Sequence, residues 1–292
     1  MEILIAIALL GGLSLVFGLI LSAASKVFYV ETDPRLEQLN NCLPCANCGG
    51  CGYAGCSNYA EAVLNGEATI DKCASGGNEA AQAMAAIMGV KAVEVTRRVA
   101  LVRCSGEKHY DKDGNQTSGA KLKGNYEGIH DCLAATKVGG RGPLSCKFGC
   151  LGYGSCVKQC KYGAISIQNG VAVVDEDLCT GCMACAAACP RGLIVPVEPG
   201  RNVVIACNSM AKGAVTTRGC TVGCIGCGLC KKICPKDAIT ITKNLAVIDY
   251  TKCDNCGLCA TVCPKKLIKD SNVENLPDPA VKQPLNNPAV KV

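Results

Sequence analysis

The sequence predicts an α+β protein in which one N-terminal helix precedes a series of small cysteine-rich modules. Three observations support this fold class: residues 3–25 carry no charge, 26 of the 292 residues are cysteines, and many of these cysteines recur in an internal repeat. A cysteine content of about 9% is typical of chains held together by cross-links or metal ligands. The chain has no tryptophan and only three phenylalanines, so aromatic packing alone would not organise its core.

The uncharged stretch predicts a transmembrane helix over residues 1–26, because about 20 apolar residues span a bilayer as a helix. A cleaved signal peptide is the alternative. It needs a basic segment before the apolar run, and no basic residue precedes the run here. Lys26 and Arg35 follow it. Since cations favour the cytoplasmic side, the expected location is the inner (cytoplasmic) membrane, single-pass, with the remaining domains in the cytoplasm.

An internal repeat covers much of the C-terminal half of the chain. Residues 156–194 and 230–268 align at an offset of 74, and every cysteine of the first has a counterpart in the second. Between the cysteine runs, A-I-x-I followed by A-V-x-D predicts two short strands around a turn. These strands are expected at 164–167 and 172–175, and again at 238–241 and 246–249. Each repeat is therefore a cysteine run, a hairpin and a second cysteine run.

The second repeat contains two complete runs of the type that ligates iron–sulfur clusters. In Cys-x2-Cys-x2-Cys-x3-Cys-Pro, three thiolates bind one cubane and the fourth cysteine binds the neighbouring cubane. The spacing predicts one 4Fe-4S cluster on Cys224, Cys227, Cys230 and Cys263, and another on Cys234, Cys253, Cys256 and Cys259. Two complete runs at this separation leave little room for zinc or disulfides as an explanation.

The first repeat predicts two further clusters, one of them from an incomplete run. The complete set is Cys160, Cys179, Cys182 and Cys185. Tyr153 stands where the second repeat has Cys227, so one ligand is missing. The nearest substitute gives the set Cys146, Cys150, Cys156 and Cys189. The offset of 74 also pairs Cys146 with Cys220, which leaves open an exchange of these two between sets.

Two more sets of four complete the cysteine count. Near the N-terminus, Cys48-x2-Cys51-x4-Cys56-x16-Cys73 suits a cluster, with a helix beginning within 57–64; a four-thiolate zinc site is the alternative. The scattered cysteines form a sixth set, for which buried apolar thiols are the alternative: Cys104, Cys132, Cys207 and Cys220. Cys42 and Cys45 remain as free thiols, an alternative ligand pair or a labile disulfide.

Six clusters would change the charge of the protein. The formal charge is +6, whereas a cubane with four thiolates carries roughly −2, so the loaded chain would carry about −6. Four lysines beside the last two clusters are predicted to dock an acidic partner, with an ordinary solvated face as the alternative: Lys231, Lys232, Lys265 and Lys266.

Other cofactor chemistry has no support in the sequence. The P-loop and the haem attachment motif C-x-x-C-H do not occur, and His109 and His130 have no matching partners. We therefore expect no flavin or NAD on this chain, no catalytic residue and no nucleic-acid partner. The chain is expected to carry electrons without performing hydride chemistry.

The whole pattern resembles the family of B subunits of Rnf complexes. The resemblance rests on the apolar N-terminal stretch, the Cys48–Cys73 motif in its G-C-G-Y-A-G-C context, V-R-C at 102–104 and the run at 146–160. It implies an iron–sulfur subunit of an ion-translocating ferredoxin:NAD+ oxidoreductase, which accepts electrons from reduced ferredoxin and works with a subunit that carries flavin and NAD, coupling electron flow to Na+ or H+ translocation. Cys42 and Cys45 are outside the family pattern, and Lys161 replaces the usual proline after Cys160.

The complete fold prediction is one transmembrane helix, a small 4Fe-4S domain and tandem bacterial-ferredoxin-like two-cluster modules. The expected ranges are 1–26 helix, 27–40 linker, 41–90 N-terminal 4Fe-4S domain, 91–145 connecting segment, 146–199 first module, 200–219 connector, 220–270 second module and 271–292 proline-rich tail. The second module would accept electrons, the first would relay them, and the N-terminal cluster would pass them to membrane subunits. The alternatives are an electron-transfer subunit of a hydrogenase or formate dehydrogenase and a non-redox zinc scaffold.

Overall fold

The computed structural model describes residues 2–27, 33–201 and 203–270, which form many short helices and two-stranded sheets. The helices are Glu2–Val27 (α1), Pro34–Asn41 (α2), Cys56–Leu64 (α3), Gly77–Met88 (α4), Cys132–Lys137 (α5), Ser155–Gln159 (α6), Ala184–Ala187 (α7), Gly213–Gly219 (α8), Leu229–Ile233 (α9) and Leu258–Thr261 (α10). The strands are Val99–Val102 (β1), His109–Tyr110 (β2), Gln116–Ser118 (β3), Ile165–Gln168 (β4), Val171–Val174 (β5), Ile194–Val197 (β6), Val203–Ile205 (β7), Ile239–Thr242 (β8), Leu245–Ile248 (β9) and Ile268–Asp270 (β10).

The prediction that the N-terminal helix crosses a membrane is wrong, and so is the predicted single-pass membrane location that depended on it. A span needs about 20 apolar residues within one helix. Among the helices that the structure describes, none combines the length and the apolar character that crossing a membrane requires. The α+β prediction with ferredoxin-like modules does not depend on this helix.

The N-terminal domain is a small helical unit. Helices α2, α3 and α4 enclose a core that includes Leu39, Tyr59 and Met84, all almost fully buried. Residues 34–40 therefore belong to this unit and are not a linker; Asp33 caps α2 by accepting a hydrogen bond from the Arg35 N–H. Helix α4 has Gly76 as its N-cap and ends at Gly89, which is in the left-handed conformation.

Each repeat contains the predicted hairpin. Strands β4 and β5 pair antiparallel with Ile165 opposite Val174, and β8 and β9 pair with Ile239 opposite Ile248. The two registers are related by the repeat offset. The observed strands lie within one residue of the predicted ranges, because the alternating apolar pattern and the turn between the strands are local signals.

Two further strand pairs tie the connecting segments to the modules. Strand β1 pairs antiparallel with β6, and β7 pairs in the same way with β10. The residue after each connecting strand continues the pairing: the Arg103 N–H donates to the Leu193 carbonyl, and the Ala206 N–H donates to that of Leu267. Cys104 and Cys207 follow directly, so the two modules present these cysteines at equivalent places.

The segment between β1 and the first module lies against both modules. It forms the small β2–β3 sheet within the predicted connecting segment, 91–145. Further on, the Lys121 N–H donates to the Gly219 carbonyl, and the Lys121 carbonyl accepts from the Ser145 N–H. This segment ends in α5, which begins with Cys132. The predicted proline-rich tail, 271–292, lies outside the described residues.

Candidate metal centres

Four cavities are lined by predicted ligand cysteines, the N-terminal one by five and the other three by four each. The N-terminal cavity is lined by Cys48, Cys51, Cys56 and Cys73, and also by Cys182. The first-module cavity is lined by Cys132, Cys150, Cys156 and Cys189. The bridging cavity is lined by Cys104, Cys146, Cys207 and Cys220. The second-module cavity is lined by Cys224, Cys227, Cys230 and Cys263.

The structure exchanges two cysteines relative to the sets expected from the sequence. Cys132, predicted with the scattered set, lines the first-module cavity, and Cys146, predicted for the first module, lines the bridging cavity. The reason is topological: α5 delivers Cys132 to the place left by Tyr153, while the chain before Phe148 turns toward the other module. Cys146 and Cys220, the repeat-related pair, share one cavity.

In each of the other two sets the four cysteines lie near one another, and of these eight cysteines only Cys182 lines one of the four cavities. Burial, and after it the neighbouring Cys182, Cys179 and Cys160, raise the pKa of Cys185 to about 11; these four are called the Cys185 set. Burial also raises the pKa of Cys259 to about 12. The set that contains it is called the Cys259 set: Cys234, Cys253, Cys256 and Cys259.

Backbone N–H groups point at several of the sulfurs. The Cys104 sulfur accepts from the N–H groups of Gly106 (3.4 Å) and Cys150 (3.3 Å). The Cys207 sulfur accepts from those of Ser209 (3.4 Å) and Cys224 (3.3 Å). Donors aimed at sulfur favour a thiolate, and such hydrogen bonds also tune the potential of an iron–sulfur cluster. The donor set in the bridging cavity therefore fits a cluster.

Burial disfavours free thiolates in these sites. It raises the pKa of Cys104 and Cys156 to about 12, and that of Cys220 and Cys230 to about 11. Without a metal, these cysteines would be protonated thiols at neutral pH. A metal must therefore displace protons when it binds, as is usual for cysteine ligands.

A single-ion site has different geometry from a cubane. Within residues 2–27, 33–201 and 203–270, no three Cys, His, Asp or Glu side chains converge closely enough to hold one metal ion. Four cysteines around a cavity are compatible with this finding, because in a cubane each cysteine binds a different iron. All 26 cysteines are free of disulfide bonds.

The N-terminal cavity and the Cys185 set are in direct contact. Cys182 itself lines the N-terminal cavity, and a Cβ on Gly50 would overlap the Cys182 carbonyl. Only glycine allows the two loops to approach this closely. Ser75 joins them as well, since its hydroxyl lies 3.7 Å from the Cys48 sulfur and 3.2 Å from the Thr180 hydroxyl.

The bridging cavity contacts both module cavities through backbone-to-sulfur hydrogen bonds. Cys150 of the first-module cavity donates to Cys104, and Cys224 of the second-module cavity donates to Cys207. Cys150 and Cys224 are repeat-related. The bridging site is thus built from equivalent parts of both modules, with Cys104 and Cys146 on one side and Cys207 and Cys220 on the other.

The predicted docking lysines differ in exposure. Lys231, Lys232 and Lys266 are exposed. Lys265 is half-buried, and its ammonium donates to the Thr221 carbonyl at 3.0 Å. Cys227 and Cys256, from the two sets of the second module, are also exposed. This module therefore presents cysteine sulfurs and lysine ammonium groups to solvent.

The surplus cysteines lie beside the N-terminal cavity without lining it. The Cys42 thiol donates to the Gln38 carbonyl at 3.2 Å, and the Cys45 thiol donates to the Asn40 carbonyl at 3.8 Å. The residues between and after them, Pro44 and Ala46, do line the cavity. The structure does not bring this pair among the predicted ligands.

Three parts of the chain match known families of iron–sulfur proteins. Residues 43–75 match the family described as "Putative Fe-S cluster". Residues 172–195 match a 4Fe-4S binding domain, and residues 223–267 match a 4Fe-4S dicluster domain. These ranges contain the N-terminal cavity's cysteines, part of the first module and nearly all of the second module.

The chain is also similar to relatives that align with most of its length. The B subunit of the Na(+)-translocating ferredoxin:NAD(+) oxidoreductase complex of Acetobacterium woodii is 40% identical over 86% of this chain and 73% of its own length. The B subunit of the ion-translocating oxidoreductase complex of Methanosarcina acetivorans is 39% identical over 85% and 90%, respectively. The B subunit of the proton-translocating ferredoxin:NAD(+) oxidoreductase complex of Clostridium ljungdahlii is 42% identical over 86% and 84%.

Proposed function

Because the chain belongs to the family of B subunits of ion-translocating ferredoxin:NAD+ oxidoreductase complexes, we propose that it conducts electrons from reduced ferredoxin along six 4Fe-4S clusters to the other subunits. The predicted role as an electron-transfer subunit of such a complex is confirmed by these relatives together with the 4Fe-4S domains. The donor, the number of clusters and their ligands are the proposal. The relatives argue against the hydrogenase and formate dehydrogenase alternatives.

The continuity of the cysteine sites is the observation that supports the proposal best. From the N-terminal cavity, contacts lead to the Cys185 set, whose Cys179 and Cys185 share one buried core with Cys150 and Cys156 of the first-module cavity. Hydrogen bonds then lead to the bridging cavity and the second-module cavity. The Cys259 set follows, since Cys230 is among the neighbouring thiols that raise the pKa of Cys259. Each proposed cluster therefore has a proposed cluster beside it.

Cysteine thiolates are the only groups that these sites need to supply. The thiolates would hold each cluster, and the cluster supplies one-electron transfer when bound. The polypeptide excludes water by burial and directs N–H groups at the sulfurs. The structure's grouping leads us to propose Cys132 with Cys150, Cys156 and Cys189, and Cys146 with Cys104, Cys207 and Cys220.

Metal analysis of the full chain, produced and kept without oxygen, tests the number of clusters. We expect about 24 iron atoms and as many acid-labile sulfides per chain, four for each of six cubanes. About 20 of each would contradict a cluster in the bridging cavity. Stoichiometric zinc with little iron, persisting after cluster reconstitution, would contradict the electron-transfer proposal as a whole.

The exposed end of the second module is the proposed entry for electrons. Lys231 and Lys232 lie on α9, in sequence between Cys230 of the second-module cavity and Cys234 of the Cys259 set, and both are exposed. Their reversal to glutamate (K231E/K232E) should slow reduction by ferredoxin roughly 10- to 100-fold at low ionic strength, because opposite charges steer association. Stopped-flow absorbance with reduced two-cluster ferredoxin measures this rate.

A matched variant separates docking from net charge. Lys91 and Lys112 are exposed and distant in sequence from the second module, so K91E/K112E changes the net charge equally and should leave the rate nearly unchanged. The difference between the two variants should shrink as salt is added, since exposed charges are screened. Equal rates for both variants at low salt would contradict docking at α9.

A further inference from the structure

Two cations occupy equivalent places in the two repeats. Arg191 and Lys265 are related by the offset of 74, and each directly follows a Cys-Pro pair. Arg191 lines the first-module cavity, and Lys265 lines the second-module cavity. Neither residue was among the metal ligands expected from the sequence, and Lys265 was expected to face a partner. The structure turns both toward the interior instead.

Arg191 also reaches the wall of the bridging cavity, and Lys265 reaches the residue between two of its lining residues, Cys220 and Val222. The Arg191 guanidinium donates to the Cys146 carbonyl at 3.2 Å and to the Gly149 carbonyl, and both of these residues line the bridging cavity. The Lys265 ammonium donates to the carbonyl of Thr221, the residue after Cys220. The bridging cavity thus has a cation on each side, whereas each module cavity has one.

The surroundings of Arg191 lack the usual counter-charge. Its other terminal nitrogen donates to the Arg141 carbonyl at 2.6 Å. All of these guanidinium hydrogen bonds are therefore made to neutral carbonyl oxygens. Among the described residues, no carboxylate forms an ion pair with Arg191 or with Lys265. The nearby groups able to become negative are cysteines, including Cys146 and Cys104. A half-buried cation without a counter-charge is costly, and clusters of charge about −2 would supply one.

We propose that Arg191 and Lys265 are a pair of tuning cations that make the cluster in the bridging cavity easier to reduce than the module cluster on either side. This inference rests on the proposed function, because it requires clusters in these cavities. Reduction adds one electron, passed on from a neighbouring cluster that ferredoxin has reduced, and involves no proton and no change of bonds in the polypeptide. A nearby cation stabilises the added charge, and the bridging site has two such cations.

Redox titration of the fully loaded chain, followed by electron paramagnetic resonance, tests the pair. A charge about 10 Å away at an effective dielectric of about 20 changes the one-electron equilibrium constant roughly tenfold, which corresponds to about 59 mV. R191Q and K265Q should each lower the potential of the bridging cluster by about this amount, and the double variant by about twice as much. The bridging signal is identified by its loss in C207A.

The module clusters provide internal controls. R191Q should also lower the potential of the first-module cluster but not that of the second-module cluster, and K265Q should do the reverse. R191K keeps the charge while losing the forked hydrogen bonds, so its potentials should stay near those of the unmodified chain. Additive shifts with this pattern would support the pair of tuning cations.

Several outcomes would overturn the inference. An unchanged bridging potential in R191Q and K265Q, with full iron content, would do so while leaving the proposed function intact. If R191K and R191Q both lost about four iron atoms, Arg191 would be a structural clamp, and K265Q, which loses only one hydrogen bond, would decide whether the bridging site is tuned at all. Failure of the proposed function would show itself separately, as missing iron or absent ferredoxin reduction in the unmodified chain.

Discussion

Replacing Cys132 by alanine is expected to remove one entire cluster, about four of about 24 iron atoms per chain, and the second substitution Tyr153→Cys is expected to restore it. Cys132 lines the first-module cavity, whereas Tyr153 stands where the other repeat has Cys227. The double variant C132A/Y153C would recreate the complete Cys-x2-Cys-x2-Cys spacing in the first repeat. Iron and sulfide analysis of both variants measures the loss and the recovery.

The geometry around Cys132 explains why its loss should be complete. Asp131 caps α5 by accepting from the N–H groups of Leu133 and Ala134. The Ser155 hydroxyl accepts from the Cys132 N–H at 2.8 Å and donates to the Asp131 carboxylate at 2.6 Å. The ligand is therefore fixed in place by its own helix and by α6. With alanine at this position, the cavity retains three cysteines.

The aromatic cluster beside Cys132 bears on the rescue. The Tyr153 ring packs against Tyr126 at 5.4 Å and against His130 at 5.2 Å between ring centroids. Cysteine at 153 would remove these contacts and leave a gap next to the site, so we expect recovery of iron with some loss of thermal stability. C45A is the matched control, because Cys45 is exposed and lines none of the four cavities; it should retain all iron.

A cross-rescue distinguishes the two possible groupings. If the grouping expected from the sequence were correct, Y153C would restore iron to C146A and not to C132A. If Cys146 belongs to the bridging cavity, Y153C leaves C146A deficient, because the added thiol is in the first module. Rescue of C146A alone would therefore overturn the assignment that we draw from the structure.

The exchange of Cys132 and Cys146 between the two sets shows which features the sequence could predict and which it could not. The hairpins were predicted to within one residue, because alternation and turn residues are local, and the second module was anticipated by two complete runs. The choice between Cys132 and Cys146 depends on where a long connection returns to the fold, and neither spacing nor repeat offset carries that information. Proximity in sequence favoured Cys146, whereas α5 delivers Cys132.

Long-range strand pairing was missed for the same reason. Strand β1 pairs with β6, and β7 with β10, across long stretches of chain. The segments around Val99 and Val203 are too short to give a periodic signal. Yet these pairs bring Cys104 and Cys207 to equivalent places in the two modules. The N-terminal prediction failed differently: an uncharged stretch was interpreted as a membrane span, and no described helix meets that requirement.

Interrupting the bridging site should divide the electron path into two parts. In C207A we expect about 20 iron atoms to remain, with the second module still reduced by ferredoxin at its normal rate. Since the bridging cavity is in contact with both module cavities, the clusters of the first module and the N-terminal cluster should no longer be reduced in the fast phase of the reaction with ferredoxin. Rapid-mixing absorbance should then show about two electrons per chain entering quickly, compared with about six in the unmodified chain.

Tyr250 provides a second contact between the two modules. Tyr250 packs against the apolar cores of both modules, and its hydroxyl donates to the Val203 carbonyl. Cys253, of the Cys259 set, is among the nearby thiols that raise its pKa after the larger effect of burial. A second route could therefore leave the Cys259 set beside Tyr250 and avoid the bridging cavity.

Two variants decide between the routes. C104A removes a ligand from the other side of the bridging cavity and should reproduce the C207A result, whereas C48A removes only the terminal cluster and should reduce the fast phase by about one electron. If C207A and C104A both lack about four iron atoms and still reduce all five remaining clusters in the fast phase, the bridging cluster is not on the path. The contact at Tyr250 would then be the connection between the modules, and the tuning cations would act on a storage site beside it.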